Sequence, residues 1–182
     1  MALRPILKYP DPLLRERAVA VSNIDGDVAR LVEDMAETMY AAPGVGLAAT
    51  QVGAGQRVIV LDVHDADEGP GKHLLKLINP EVTEREGELL WEEGCLSVPE
   101  LTAPIKRARR VLVRAWTPDE KEIQVEAEEL LAVALQHEID HLDGRLFLDR
   151  LSRLKRDLYR ARQRKLERQG RKGGGGQGPV LI

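Results

Sequence analysis

At 182 residues, with 43% apolar content, the chain has the size and composition of one domain with a real hydrophobic core. Its apolar runs fall well short of the roughly 18 residues a spanning helix needs, Met1-Ala2-Leu3-Arg4-Pro5 lacks a secretory stretch, and a single cysteine, Cys95, excludes a disulfide framework; these features together predict a reducing, cytoplasmic setting without a membrane partner. The net charge of -3 hides an asymmetry: Arg153 to Lys172 holds ten Lys/Arg against Asp157 and Glu167, or +8, and leaves a body of 17 basic and 28 acidic residues, or -11. A basic segment on an acidic body points to an anionic partner such as nucleic acid.

Along the chain, Asp11-Pro12 within Ile6 to Leu14 reads as a turn or helix start. From Asp25, Val28, Leu31, Val32, Met35 and Met39 recur at intervals of three and four, predicting an amphipathic helix that ends near Tyr40 and is stopped by Pro43-Gly44. Arg57 to Val63 and Arg110 to Trp116 read as strands, and Thr117 to Lys121 as a hairpin turn into a strand through Ile123 and Val125. A second helix is expected from about Ala127 to Leu142, closed by Asp143-Gly144, and a third, basic helix over about 152–169. The Gly-rich stretch within 170–182 reads as a flexible tail, leaving 1–169 as one domain. Strands in the middle with helices flanking them, not alternating, predict an α+β fold.

Three segments carry chemistry. His137-Glu138-Ile139-Asp140-His141 is an H-E-x-x-H motif within a predicted helix, where residues four apart share a face and both imidazoles can close on one divalent metal. Glu138 then sits at the edge of that face, within reach of a water activated by the ion. A catalytic metal needs a third protein ligand, and downstream of His141 there is no His or Cys. Upstream, Glu93-Gly94-Cys95-Leu96-Ser97 holds the one thiol; a lone cysteine is more often buried filler, but a partner H-E-x-x-H and a flanking glycine make Cys95 the candidate. The third segment, Gly44-Val45-Gly46-Leu47-Ala48-Ala49-Thr50-Gln51, follows a helix and leads to a strand, the wrong context for a dinucleotide loop. It reads as a glycine-rich turn where an extended substrate can approach the backbone, ending in the polar amide of Gln51. His64 and His73 lie in a polar, loop-like stretch and read as solvated.

With all three motifs in this order, the chain resembles the peptide deformylase family, hydrolases that remove the N-formyl group from nascent proteins, over about residues 3 to 165. The resemblance implies antiparallel sheets packed around a central metal-binding helix, and one divalent ion on Cys95, His137 and His141, commonly Fe(II), with Ni, Co or Zn able to replace it. Glu138 is then expected as general base and acid for a metal-bound hydroxide, with the Gln51 amide and the Leu96 N–H as oxyanion donors. Gly46, Val45, Trp91, Leu130, Val133 and Ala134 are expected to contact the formyl-Met peptide. The resemblance also implies a monomer whose basic helix docks on the ribosome near the peptide exit. Many relatives carry an arginine where this chain has Thr102, and Lys106 or Arg107 is the expected substitute. Two other readings compete: a zinc endopeptidase, disfavoured by the missing downstream ligand, and a non-catalytic RNA-binding module.

Overall fold

The computed structural model describes residues 2–64 and 69–168. The Gly-rich segment 170–182 lies outside the described residues. The first helix, α1 (Gly26–Ala41), begins where the Asp25 carboxylate accepts from the backbone N–H groups of Asp27 and Val28, satisfying two donors that the helix itself cannot. Its apolar stripe of Val28, Leu31, Val32, Met35 and Met39 is buried against the strands that follow.

Those strands form a five-stranded antiparallel sheet in the order β1 (Gly46–Ala48), β2 (Val58–Leu61), β3 (Leu75–Glu86), β6 (Arg110–Trp116), β7 (Glu122–Glu128). β4 (Leu89–Cys95) and β5 (Val98–Arg107) form a separate two-stranded sheet. The second helix, α2 (Glu129–Leu142), follows β7 directly and packs across β1, β2, β6 and β7 on the face opposite α1. This sandwiching explains the all-apolar β2: Val58 and Val60 point into the α1 cluster, Ile59 and Leu61 into the α2 cluster, and all four are fully buried. Each such side chain contributes about 1.5–3 kcal/mol relative to an exposed position.

Where strands have one wet face the sequence alternates instead. β6 buries Val111, Val113 and Ala115, and β5 buries Ala103, Ile105 and Arg107. A third cluster, with Leu14, Cys95, Ile105, Phe147 and Tyr159, joins the small sheet to the chain's carboxyl half. There, a single 3-10 turn (Phe147–Arg150) leads into α3 (Arg153–Arg168), held by the Tyr159 hydroxyl donating to the Pro99 carbonyl at 3.1 Å. No helix among the described residues is long and apolar enough to cross a membrane.

Two sequence expectations shift. Gly44 to Gln51 is not simply a turn: Gly46–Ala48 pairs with β2 as an edge strand, and Ala49–Val52 is a 3-10 turn. The helix expected from Ala127 starts at Glu129, because Ala127 and Glu128 complete the β7 ladder opposite Val111 and Arg110.

Candidate metal and catalytic site

From Ala132 to Leu142 every residue of α2 is buried, including His137, Glu138, Asp140 and His141. Polar side chains in such a helix need partners. The helical spacing puts His137 Nε2 and His141 Nε2 3.2 Å apart, and the turn after β4 brings Cys95 Sγ to 3.2 Å from His141 Nε2. One ligand atom from each of the three lies within 4.8 Å of the others, the sole such His/Cys/Asp/Glu group among the described residues. Burial, and then neighbouring His137, pushes His141 well below the ordinary histidine value, so its imidazole is neutral and ligand-ready. Burial and then Glu138 push the Cys95 thiol well up, so the protein alone keeps it protonated and a cation is what would draw out the thiolate. One thiolate and two imidazoles would suit the first-row ions from iron to zinc.

His137 is held from behind. Its Nδ1 donates to Glu93 Oε2 at 2.8 Å, which leaves the Nε2 lone pair facing Cys95 and His141. Burial opposes ionisation of Glu93, but hydrogen bonds from Arg107 and His137 outweigh it and hold its carboxyl down at about 2. Arg107 grips Glu93 through Nε at 2.6 Å and Nη2 at 2.9 Å and reaches Asp140 with Nη1 at 2.5 Å. Arg150 closes a two-pronged contact on Asp140 from the other side, both bonds at 2.8 Å.

Glu138 has no such partner. Its carboxylate is fully buried and neither oxygen is hydrogen-bonded. Burial, and then the Glu93 carboxylate, raise its pKa well above the ordinary value. The Gly46 backbone lies against it: a Cβ there would stand 2.5 Å from Glu138 Oε1. On β1, the Val45 carbonyl is taken by the Asp62 N–H at 2.9 Å, so ladder alternation turns the Gly46 N–H and carbonyl toward the unpaired edge of the sheet. Gln51 is buried in the 3-10 turn, its Oε1 accepting from the Ala48 N–H at 2.7 Å and its Nε2 lying 3.2 Å from Ser97 Oγ and 3.7 Å from Cys95 Sγ. Leu96 follows the thiol in the two-residue β4–β5 turn. Val133 and Ala134 belong to the apolar cluster of α2, and Val45, Trp91 and Leu130 pack against it.

Over residues 3–157 the sequence matches the family described as polypeptide deformylase. The chain belongs to the peptide deformylase family. These enzymes are metal-dependent hydrolases that remove the N-formyl group of formyl-Met peptides. The peptide deformylase of Syntrophobacter fumaroxidans is 52% identical over 165 residues, covering 91% of this chain and 96% of the relative. Among solved structures, a peptide deformylase from Legionella pneumophila superposes with a TM-score of 0.86 at 44% identity, over 94% of this chain and 100% of that one. One from Ehrlichia chaffeensis, in complex with actinonin, gives 0.85 at 38%, over 92% and 99%.

Against this deformylase frame, one expectation fails. Arg107 cannot stand in for a substrate-facing arginine: its side chain is fully buried and committed to Glu93 and Asp140. Lys106 points to the opposite, wet side of β5 and pairs with Glu88. Thr102 lines a cleft of about 300 Å³ between β5 and α3, with Leu101, Leu151, Leu158 and Tyr159, and none of the three donors lines it. Glu93 and Asp140 are polar residues whose part sequence reasoning passed over, and Arg107 is one whose part it misassigned. The signal for two of them lay in strand alternation, which puts Glu93 in phase with Trp91 and Arg107 in phase with Ala103 and Ile105. His64 sits 3.4 Å from the buried Asp62 carboxylate and is only partly exposed, not solvated as the sequence suggested.

Proposed function

We propose that this chain deformylates nascent formyl-Met polypeptides with one divalent ion held by Cys95, His137 and His141, Fe(II) in the cell and replaceable by Ni, Co or Zn. The observation that carries the reading is Glu138: a fully buried carboxylate with both oxygens free, beside three donors that suit a cation. The bound ion supplies Lewis acidity, polarising the formyl carbonyl and acidifying a water.

The chain's own groups do the rest. The extended peptide lies along the free edge of β1, its backbone answering the Gly46 N–H and carbonyl as an added strand would. Its methionine side chain faces the apolar surface of Val45, Trp91, Leu130, Val133 and Ala134. Glu138 takes a proton from the attacking water and returns it to the departing amine nitrogen, and the burial that raises its pKa above the ordinary carboxylate value favours holding that proton between the two transfers. The Gln51 amide, fixed through its Oε1 by the Ala48 N–H, and the Leu96 N–H donate to the oxygen on which negative charge develops. Asp140, Arg107 and Glu93 hold His137 in one tautomer throughout.

Replacing Glu138 with Ala tests the assignment. Turnover of formyl-Met-Ala-Ser should fall by about 100- to 10,000-fold while elemental analysis still finds one ion per chain. Turnover within a few-fold of wild type would refute Glu138 as the base. The basic α3 is the surface by which the monomer meets ribosomal RNA or protein near the exit tunnel in the cytoplasm. Ribosome co-sedimentation should weaken with salt and with Lys155→Glu/Arg156→Glu, and insensitivity to both would remove that part.

A further inference from the structure

Both proposed oxyanion donors come from short turns, and a donor stabilises a developing charge only as well as it is placed. Among the described residues, the segment that ties the two turns together is Leu7-Lys8-Tyr9, which belongs to no helix or strand. The Leu7 N–H donates to the Gln51 carbonyl at 2.8 Å, and the Tyr9 N–H donates to the Ser97 carbonyl at 2.8 Å. Between them, the Lys8 ammonium donates to the Leu96 carbonyl. The outer two bonds use backbone that any residue could offer. The middle one depends on the side chain, and a charged donor makes a stronger hydrogen bond than a neutral one. The strap is itself anchored: the Tyr9 ring packs at 6.0 Å from that of Tyr159, and Arg160 Nε donates to the Tyr9 hydroxyl at 3.2 Å.

We propose that Lys8 is a positioning residue for deformylation, pinning the Leu96 carbonyl so that the Leu96–Ser97 turn holds its N–H and the adjoining Cys95 in register with Gln51 and α2. The proposal deepens the reading of Leu96 as an oxyanion donor and rests on it. Lys8 itself touches no reacting atom. Because the Leu7 and Tyr9 backbone bonds survive its substitution, the turn should loosen without unfolding, and the loss should stay well below that of deleting a donor.

The test uses the full chain with Lys8→Met and Lys8→Arg, each assayed in its metal-loaded form for kcat and KM on formyl-Met-Ala-Ser. In parallel, amide hydrogen exchange at Leu96 and Ser97 is followed in the metal-free protein. Lys8→Met should lower kcat about tenfold with KM within about twofold, and speed exchange at the turn about tenfold. Lys8→Arg, which keeps the charge, should restore both. Wild-type exchange in Lys8→Met would overturn the pinning, and faster exchange with unchanged kcat would overturn its role in the reaction. An inactive wild type would count against the deformylation reading instead, while the exchange comparison would still decide the pinning.

Discussion

Gly46 is where a single methyl group tests the proposed chemistry by pressing on the base while every donor residue and the base itself are retained. A Cβ built there stands 2.5 Å from Glu138 Oε1, closer than real Cβ atoms come, and at a tight 3.0 Å from both Cδ and Cγ. Gly46 has ordinary backbone angles, so Gly46→Ala adds no conformational strain and its effect is purely that contact. The carboxylate cannot retreat freely, since Glu138 is fully buried, and β1 cannot retreat, since Val45 and Leu47 are tied to β2. Overpacking of this kind costs about 1–3 kcal/mol of stability. A base displaced by about 1 Å loses about 100-fold in rate, equivalent to about 2.7 kcal/mol of barrier. The assay is kcat on formyl-Met-Ala-Ser beside a thermal melt and a metal determination. The expected result is a folded protein with full metal and kcat down about 100-fold. A folded Gly46→Ala enzyme with kcat within about threefold of wild type would refute the claim that the carboxylate must sit where the glycine allows it.

Three further outcomes follow from the same geometry. Glu93→Gln leaves a hydrogen-bond acceptor on His137 but removes the charge that fixes its tautomer, and should weaken metal affinity about 10- to 100-fold in a chelator competition. Arg107→Met takes from the buried Glu93 carboxylate its only arginine among the described residues, and from Asp140 one of two, and should destabilise the fold by about 3–5 kcal/mol in urea titration, partly rescued when Glu93→Gln is added. Asp25→Ala should lower Tm at neutral pH. Backbone hydrogen bonds from Val28 and Asp27 hold the Asp25 carboxyl below its ordinary value. Its stabilisation is therefore present above the unfolded pKa and lost as pH falls through the folded one, so the gap in Tm between variant and wild type should close in acid.

How far the fold could be read from sequence depended on how many faces of each element are buried. α1 announced itself by apolar periodicity, α2 by its Asp143-Gly144 stop, and β2, buried on both faces, by an unbroken Val-Ile-Val-Leu run. β3, β4 and β5 did not. The outer half of β3, Thr83 to Glu86, is exposed on both faces and reads as polar loop, while β4 places Glu92 and the buried Glu93 side by side, which breaks any apolar alternation. β1 is only three residues long and flanked by glycine, so turn chemistry outweighed strand propensity in the sequence although the β2 edge captures it in the structure.

The site divides in a similar way. Of the residues that act through their own chemistry, the thiol and the two imidazoles stand out because such groups are scarce, one cysteine and four histidines in the chain, and the Glu138 carboxylate, one of 30 acidic residues, stands out only by its place between the two histidines. Residues that act on other residues are common types and become legible only in three dimensions. Arg107 shows why. Beside Lys106 and Arg109 it looks like one more surface cation, and the resemblance offered it, with Lys106, as a stand-in for the arginine that many relatives carry at the position of Thr102. Its place on β5, in phase with Ala103 and Ile105, turns it inward instead, where two carboxylates from β4 and α2 neutralise it and one of them orients His137. The charge that could have bound peptide is spent inside the protein, and the wet face of β5 is left with Thr102, Pro104 and Lys106. Any electrostatic grip on a substrate beyond its formyl-Met residue must therefore come from a side chain other than Arg107.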